Sequence, residues 1–305
     1  MKLSVKKNVV SFIVFFILVV FPQSAVWGQT ERSKMAVFVS ILPQAYFLER
    51  IGGDRLSVEV LVGEGQSPAT YEPTPRQMAK LSEASACFLI GVPFERHLMK
   101  KLRQSHRNPV IVETQKGVPY RYPAGRSYRD EQGHGTGQGN ESAGVPDPHI
   151  WMSPKLVKIQ AQNIHDALSR LDPVHKQQYA SNLQSFHADL NRLDARIARS
   201  LAPIRGKKMY VFHPAFGYFA DAYGLIQVTI EIEGKEPGGR QLARLIDMAK
   251  KDGVKVIFVQ PQFSRKSAEV VAKAIGGAVV PINPLSKEYI ANLEKMAAAV
   301  EQGLR

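Results

Sequence analysis

Residues 172–201 read DPVHKQQYASNLQSFHADLNRLDARIARSL, and this stretch decides the fold. Leu183, Phe186, Leu190, Leu193, Ile197 and Leu201 recur at three- and four-residue steps, the period of one apolar helix face. Close to 30 residues at about 1.5 Å each make a rod of about 43 Å, longer than most globular helices. The rod falls mid-chain and lacks the Gly/Ser composition of a flexible tether. It reads as a rigid helix joining two lobes.

Working outward, short β-rich runs alternate with amphipathic stretches on both sides. Before the rod, 36–40, 56–62, 87–90 and 110–112 read as strands, with helices over 44–51, 75–84 and 94–104. After it, strands are predicted at 208–212, 227–230, 254–259 and 279–282. Helices are predicted over 216–223 and 241–251, from 264 onward, and over 288–301. Such alternation implies α/β lobes with mainly parallel sheets flanked by helices. Between 114 and 146 the apolar periodicity stops and Gly133, Gly135, Gly137, Gly139 and Gly144 mix with polar residues, the composition of a mobile surface loop.

Lys2, Lys6 and Lys7 precede an apolar run from Val9 to Phe21, with Ala25, Val26 and Gly28 beyond it. A basic start, a short apolar core and a small-residue site make a secretory leader, with cleavage expected near Gly28. The run is shorter than the ~20 residues of a spanning helix. No later stretch is long and apolar enough to cross a membrane. The single cysteine, Cys87, sits in an apolar run and reads as a small core residue. The formal charge is +13, but the positive residues are scattered over helices and no basic block interleaves with aromatics. That distribution describes a solvated surface and argues against a nucleic-acid partner. Neither a His-Glu-x-x-His helix nor a nucleophile elbow is present, so an enzyme is not expected. The expected organisation is a leader over 1–28, a first lobe over 29–172, the linking helix over 173–203 and a second lobe over 204–305.

Two histidines stand apart. His149 lies in Asp147-Pro148-His149-Ile150-Trp151-Met152-Ser153-Pro154, a proline-bracketed turn before a helix. His213 lies in His213-Pro214-Ala215-Phe216-Gly217-Tyr218-Phe219, directly after a strand, where open α/β sheets place their ligands. Neutral imidazole is the commonest transition-metal ligand. By spacing alone, however, two isolated histidines are more often structural residues than ligands. Trp151 reads as a packing anchor beneath His149, Tyr218 as core, and Glu231, Glu233 and Glu236 as an acidic surface loop, with reach to the cleft as the alternative.

Together with Tyr71-Glu72-Pro73-Thr74-Pro75, Ala222-Tyr223-Gly224-Leu225 and Gln260-Pro261-Gln262-Phe263-Ser264, these motifs resemble the zinc/manganese-uptake family of periplasmic solute-binding proteins (ZnuA/TroA-like) over essentially the whole mature chain. The resemblance implies two pseudo-symmetric lobes, a backbone helix and a divalent metal bound in the cleft between them. Zinc is the expected ion, Mn2+ or Fe2+ the alternatives. It further implies a periplasmic, monomeric carrier serving an inner-membrane ABC permease. His149 and His213 match two of the family's ligand positions. At a third, Ala69 stands where the family has histidine. At the fourth, Asn283 stands where it often has aspartate, a poorer zinc donor than a carboxylate. Glu72, Glu231, Glu236 and His134 are further candidates to complete the shell. The alternative is a degenerate-site member that binds another ligand or acts as an adhesin-like surface module.

Overall fold

The strand β1, Met35–Ile41, is buried from Val37 onward, and α1 (Leu42–Gly52) follows it without a loop. Continuous apolar runs of this kind belong to parallel sheets covered on both faces. The remaining elements of the first half are β2 (Leu56–Val62), α2 (Pro75–Glu83), β3 (Ala86–Leu89), α3 (Glu95–Arg103) and β4 (Val110–Glu113). Two helices cross the middle of the chain, α4 (Pro154–Leu171) and α5 (Lys176–Leu201). The second half runs β5 (Lys208–Val211), α6 (Gly217–Tyr223), β6 (Ile226–Thr229), α7 (Gly239–Lys251), β7 (Val256–Val259), α8 (Lys266–Ala274), β8 (Ala278–Pro281) and α9 (Tyr289–Leu304). This computed structural model describes Met1 and residues 34–104, 108–122, 145–231 and 237–305. The expected leader and its cleavage point lie outside the described residues. No helix among those described is long and apolar enough to cross a membrane.

All strand pairings are parallel, and the two four-stranded sheets share one winding, β2-β1-β3-β4 and β6-β5-β7-β8. In each, the chain steps from the first strand to one side and then crosses to the other. The crossing leaves a crevice at the carboxyl ends, between β1 and β3 and again between β5 and β7, where α/β sheets take ligands.

The long helix is shorter than its sequence period suggested. Pro173–His175 and Ala202–Ile204 are 3-10 turns, leaving 26 α-helical residues, about 39 Å. Pro173 and Pro203 cannot donate to a helical ladder, which sets both limits. Nor is α5 a bare strut. Its apolar face is buried, and α1, α4, α6 and α9 pack along it. Arg50 of α1 pairs with Asp189 at 2.5 Å, and Tyr223 of α6 donates to Asp194 at 3.1 Å. The last helix also returns to the first half: Tyr289 packs edge-on against Phe47 with ring centres 4.9 Å apart. One continuous apolar core therefore runs from the first sheet through α5 into β5, α6 and α9. Such a core resists bending between the halves.

The first residues of the expected surface loop are built into this fold. Thr114 is buried and its hydroxyl donates to the Leu89 carbonyl at 2.7 Å, while Asn163 of α4 donates to the carbonyls of Thr114 and Lys116 at 2.8 Å. Residues 123–144 lie outside the described residues.

Candidate metal centre

The two histidines arrive from opposite sides of the crevice. His149 caps a turn held by Asp147, whose Oδ1 accepts from the His149 backbone N–H at 3.0 Å and from Nδ1 at 2.7 Å. The second half pins that turn: the Tyr218 hydroxyl of α6 donates to the Asp147 carbonyl at 3.0 Å and accepts from the Arg121 N–H at 2.9 Å. Arg121 Nη1 reaches Asp147 Oδ2 at 3.3 Å. Pro154 opens α4 at a position where its missing N–H costs nothing. Below, Trp151 is 1% exposed, and its Nε1 donates to the Pro284 carbonyl at 2.7 Å.

His213 leaves the end of β5. Gln260, at the end of β7, clamps its backbone from both sides, accepting from the His213 N–H at 3.2 Å and donating to its carbonyl at 2.7 Å. Phe263 stacks on the ring at 4.6 Å. Glu231, just past β6, accepts from Nδ1 at 2.7 Å.

Each imidazole thus has a carboxylate behind its Nδ1, and these side chains are nearly sealed, Asp147 3% and Glu231 4% exposed. A carboxylate only accepts, so in the neutral ring Nδ1 carries the proton and Nε2 keeps its lone pair. Among the described residues no hydrogen bond reaches either Nε2. The ring centres lie 5.3 Å apart, with planes at 76°. A zinc held about 2.0–2.1 Å from each nitrogen lies about 3.2 Å from each ring centre, and a tetrahedral angle then separates the centres by about 5.2 Å. The observed spacing is that of two imidazoles on one ion, and equally that of two rings in edge-on contact. Burial pushes the His149 pKa below its ordinary value, against the pull of Asp147, so the ring is neutral at pH 7. Burial raises Asp147, but hydrogen bonds from His149 and the charge of Arg121 outweigh it and hold that carboxyl below the ordinary range.

The remaining candidates fall out differently. Ala69 lines the same cavity as both histidines. Its loop is anchored by α2, where Thr74 caps the Gln77 N–H at 3.2 Å and Gln77 donates to the Leu61 carbonyl at 3.0 Å. Glu72 is exposed and lines a separate hollow with His97 and Lys101. Asn283 borders another hollow, with Gly65 and Lys287, and its Oδ1 already accepts from Gln262 at 3.2 Å and from the Leu285 N–H at 3.0 Å. Glu236 and His134 lie outside the described residues. Among the described residues, no three His, Cys, Asp or Glu side chains gather as a metal site.

Of the two readings the sequence left for Glu231, a surface loop or a group that reaches the cleft, the structure takes the second: it is buried as the partner of His213. Sequence reasoning missed Asp147 and Gln260 as positioning residues, and it treated Tyr218 as filler although its hydroxyl ties the two halves together. A carboxylate two residues before His149 was the available signal for the first. Nothing in the local pattern marks the other two.

The comparisons with known proteins bear on the family and the fold. The family model described as "Zinc-uptake complex component A periplasmic" (ZnuA) matches residues 37–303. The chain is 30% identical over 264 residues to the high-affinity zinc uptake system protein ZnuA of Bacillus subtilis, covering 85% of this chain and 81% of that one. It is 28% identical over 282 residues to the zinc-binding lipoprotein AdcA of Streptococcus pneumoniae, covering 88% of this chain but spanning only 56% of the length of that relative. A crystal structure of a ZnuA superposes with a TM-score of 0.81 at 40% identity, covering 89% of this chain and 100% of that one. A zinc-bound ZnuA lacking residues 138–173 superposes with a TM-score of 0.79, also at 40% identity, covering 89% and 98%. With its two like-wound sheets, its long central helix and a match along most of its length, the chain belongs to the periplasmic zinc-uptake component A (ZnuA) family.

Proposed function

We propose that the protein captures a divalent transition metal, zinc above all, between His149 and His213 outside the cytoplasm and delivers it to an ABC importer in the membrane. The observation that carries this reading is the pair of carboxylate-backed imidazoles, one from each side of the crevice, with ring centres 5.3 Å apart. Two neutral nitrogen donors favour a borderline-soft ion over magnesium or calcium, which take oxygen cages. Mn2+ and Fe2+ suit the same donors but stand below zinc in intrinsic affinity. The names of the relatives, zinc uptake and zinc binding, point the same way, to a carrier and not a catalyst. The continuous core beside α5 leaves little room for wide closure, so selectivity rests on the donors.

Calorimetric titration of the apo protein at pH 7.5 is expected to show one zinc per chain, with manganese displaced by equimolar zinc. A protonated imidazole cannot coordinate, and the pKa of His149 is depressed below its ordinary value, so protonation of His149 is not expected to weaken zinc binding at pH 7 and contributes only at lower pH. There the fall is about tenfold per unit for each proton the metal must displace. Loss of affinity already between pH 8 and 7 would contradict a neutral, buried His149. Carboxylates behind metal-bound histidines fix the ring and raise its basicity, and losing one costs about 10–100-fold in affinity. Glu231→Gln is expected to weaken zinc by that factor, read in the same titration. Wild-type affinity in that variant would show that Glu231 does not support the ligand.

A further inference from the structure

Gly217 opens α6 and is buried, yet its backbone does not call for glycine, since its φ lies outside the left-handed region. Space calls for it. A Cβ placed there would stand 2.3 Å from Arg121 Nη1, 2.6 Å from Arg121 Cζ and 2.8 Å from Asp147 Oδ2, where unbonded heavy atoms settle at about 3.5–4.0 Å. Arg121 is held at that spot by both halves. Its carbonyl accepts from the Asp147 N–H at 2.8 Å, and its own N–H donates to the Tyr218 hydroxyl at 2.9 Å. Its Nε donates to Asp221 Oδ2 at 2.8 Å and its Nη1 to Asp147 Oδ2 at 3.3 Å. The guanidinium fork thus spans one carboxylate from each half.

Asp147 needs that hold. Its Oδ1 takes both donors of residue 149, but rotation about its Cβ–Cγ bond is soft, because such terminal torsions are broad. Arg121 on Oδ2 fixes the plane of the carboxylate, and with it the line along which Nδ1 of His149 donates. Removing Arg121 also removes a positive charge that opposes an incoming cation. That charge lies between two carboxylates that offset it, so the loss of orientation is expected to dominate.

We propose that Arg121 is a positioning residue for metal capture, seated by Gly217 and Asp221 of the second half so that it holds Asp147 in place behind His149. The inference rests on the metal-capture reading and adds to it a dependence of affinity on contacts made across the two halves.

The test is calorimetric zinc titration of the full chain and its variants, with the d–d absorbance of bound Co2+ as a probe of the ligand field and urea unfolding of each apo protein alongside. Arg121→Ala is expected to weaken zinc about tenfold, the low end for losing an outer support of a ligating histidine, and to shift the cobalt bands. Arg121→Lys returns a donor to Asp147 without the fork and is expected to recover part of that loss. Gly217→Ala touches neither histidine. It is expected to weaken zinc about tenfold in the wild-type background, but less than about twofold once Arg121 is alanine, because the group its methyl displaces is gone. If Gly217→Ala does not fold, Arg121→Ala and Arg121→Lys decide the question. A merely structural role would lower the unfolding midpoint and leave zinc affinity and the cobalt bands as they were. That outcome, or fully additive losses in the double variant, overturns this inference and leaves metal capture standing so long as His149→Ala still loses the ion. Failure of the unaltered chain to bind zinc overturns both.

Discussion

Changing His149 and His213 together to alanine is expected to abolish specific zinc binding, a loss of about a thousandfold or more, because the described residues offer the ion no other paired imidazoles. The singles separate the two supporting carboxylates. In His149→Ala, Asp147 still accepts from the backbone N–H of residue 149 and pairs with Arg121, so apo stability changes little. In His213→Ala, Glu231 is left 4% exposed with its hydrogen bond from Nδ1 gone, and Phe263 loses its stacked partner. A buried polar group stripped of its partner costs about 1–3 kcal/mol, more when charged. His213→Ala is therefore expected to unfold at lower urea than His149→Ala although both lose metal. Equal zinc affinity in wild type and double variant would end the metal reading. Equal unfolding midpoints in the singles would show that Glu231 finds other partners.

The second large effect is at Trp151. Its ring is fully buried, lies 5.2 Å from that of His149, and donates from Nε1 to the Pro284 carbonyl, while its own carbonyl accepts from the Tyr289 hydroxyl at 2.8 Å. These two hydrogen bonds join the His149 turn to the β8–α9 connection of the other half. Trp151→Ala opens a cavity at that junction and is expected to cost about 3–5 kcal/mol, the range for large aromatics. For a domain of this size that is a fall of about 10 °C in Tm. Trp151→Phe, which keeps much of the packing but orphans Pro284, is expected to cost less than half as much. Because the ring supports His149, zinc affinity should fall about tenfold in the alanine variant at temperatures where it remains folded. Thermal unfolding and calorimetry read the two effects apart. A change below 1 kcal/mol in Trp151→Ala would show that the halves are joined elsewhere.

Much of the architecture was legible because its causes are local. The apolar steps from Leu183 to Leu201 give a helix wherever the segment sits, and that face is buried as its period requires. The apolar run at 36–39 specifies a buried strand in the same way, and the alternation of Leu56, Val58 and Val60 with Ser57 and Glu59 marks a half-buried one. Proline at 173 and 203 trimmed the rod by rules that act within one turn. His149 and His213 were visible because each sits in a distinctive motif at an element edge.

What the linear order left open is every relation between residues far apart in it. Glu231 stands 18 residues from His213, in a stretch whose acidic composition reads as surface, and only the pairing of β5 with β6 folds it back against the ring. Asn283 appeared a fit donor by residue type, yet the Leu285 N–H and Gln262 engage its oxygen in the folded chain. By itself, then, the sequence determined the elements and their α/β order, since propensity and periodicity act between near neighbours, and its motifs singled out His149 and His213 as candidate ligands. Only the tertiary structure decided that the rings share one cavity, which carboxylates stand behind them and that Ala69 faces them, since convergence depends on long-range packing that no short window of residues encodes.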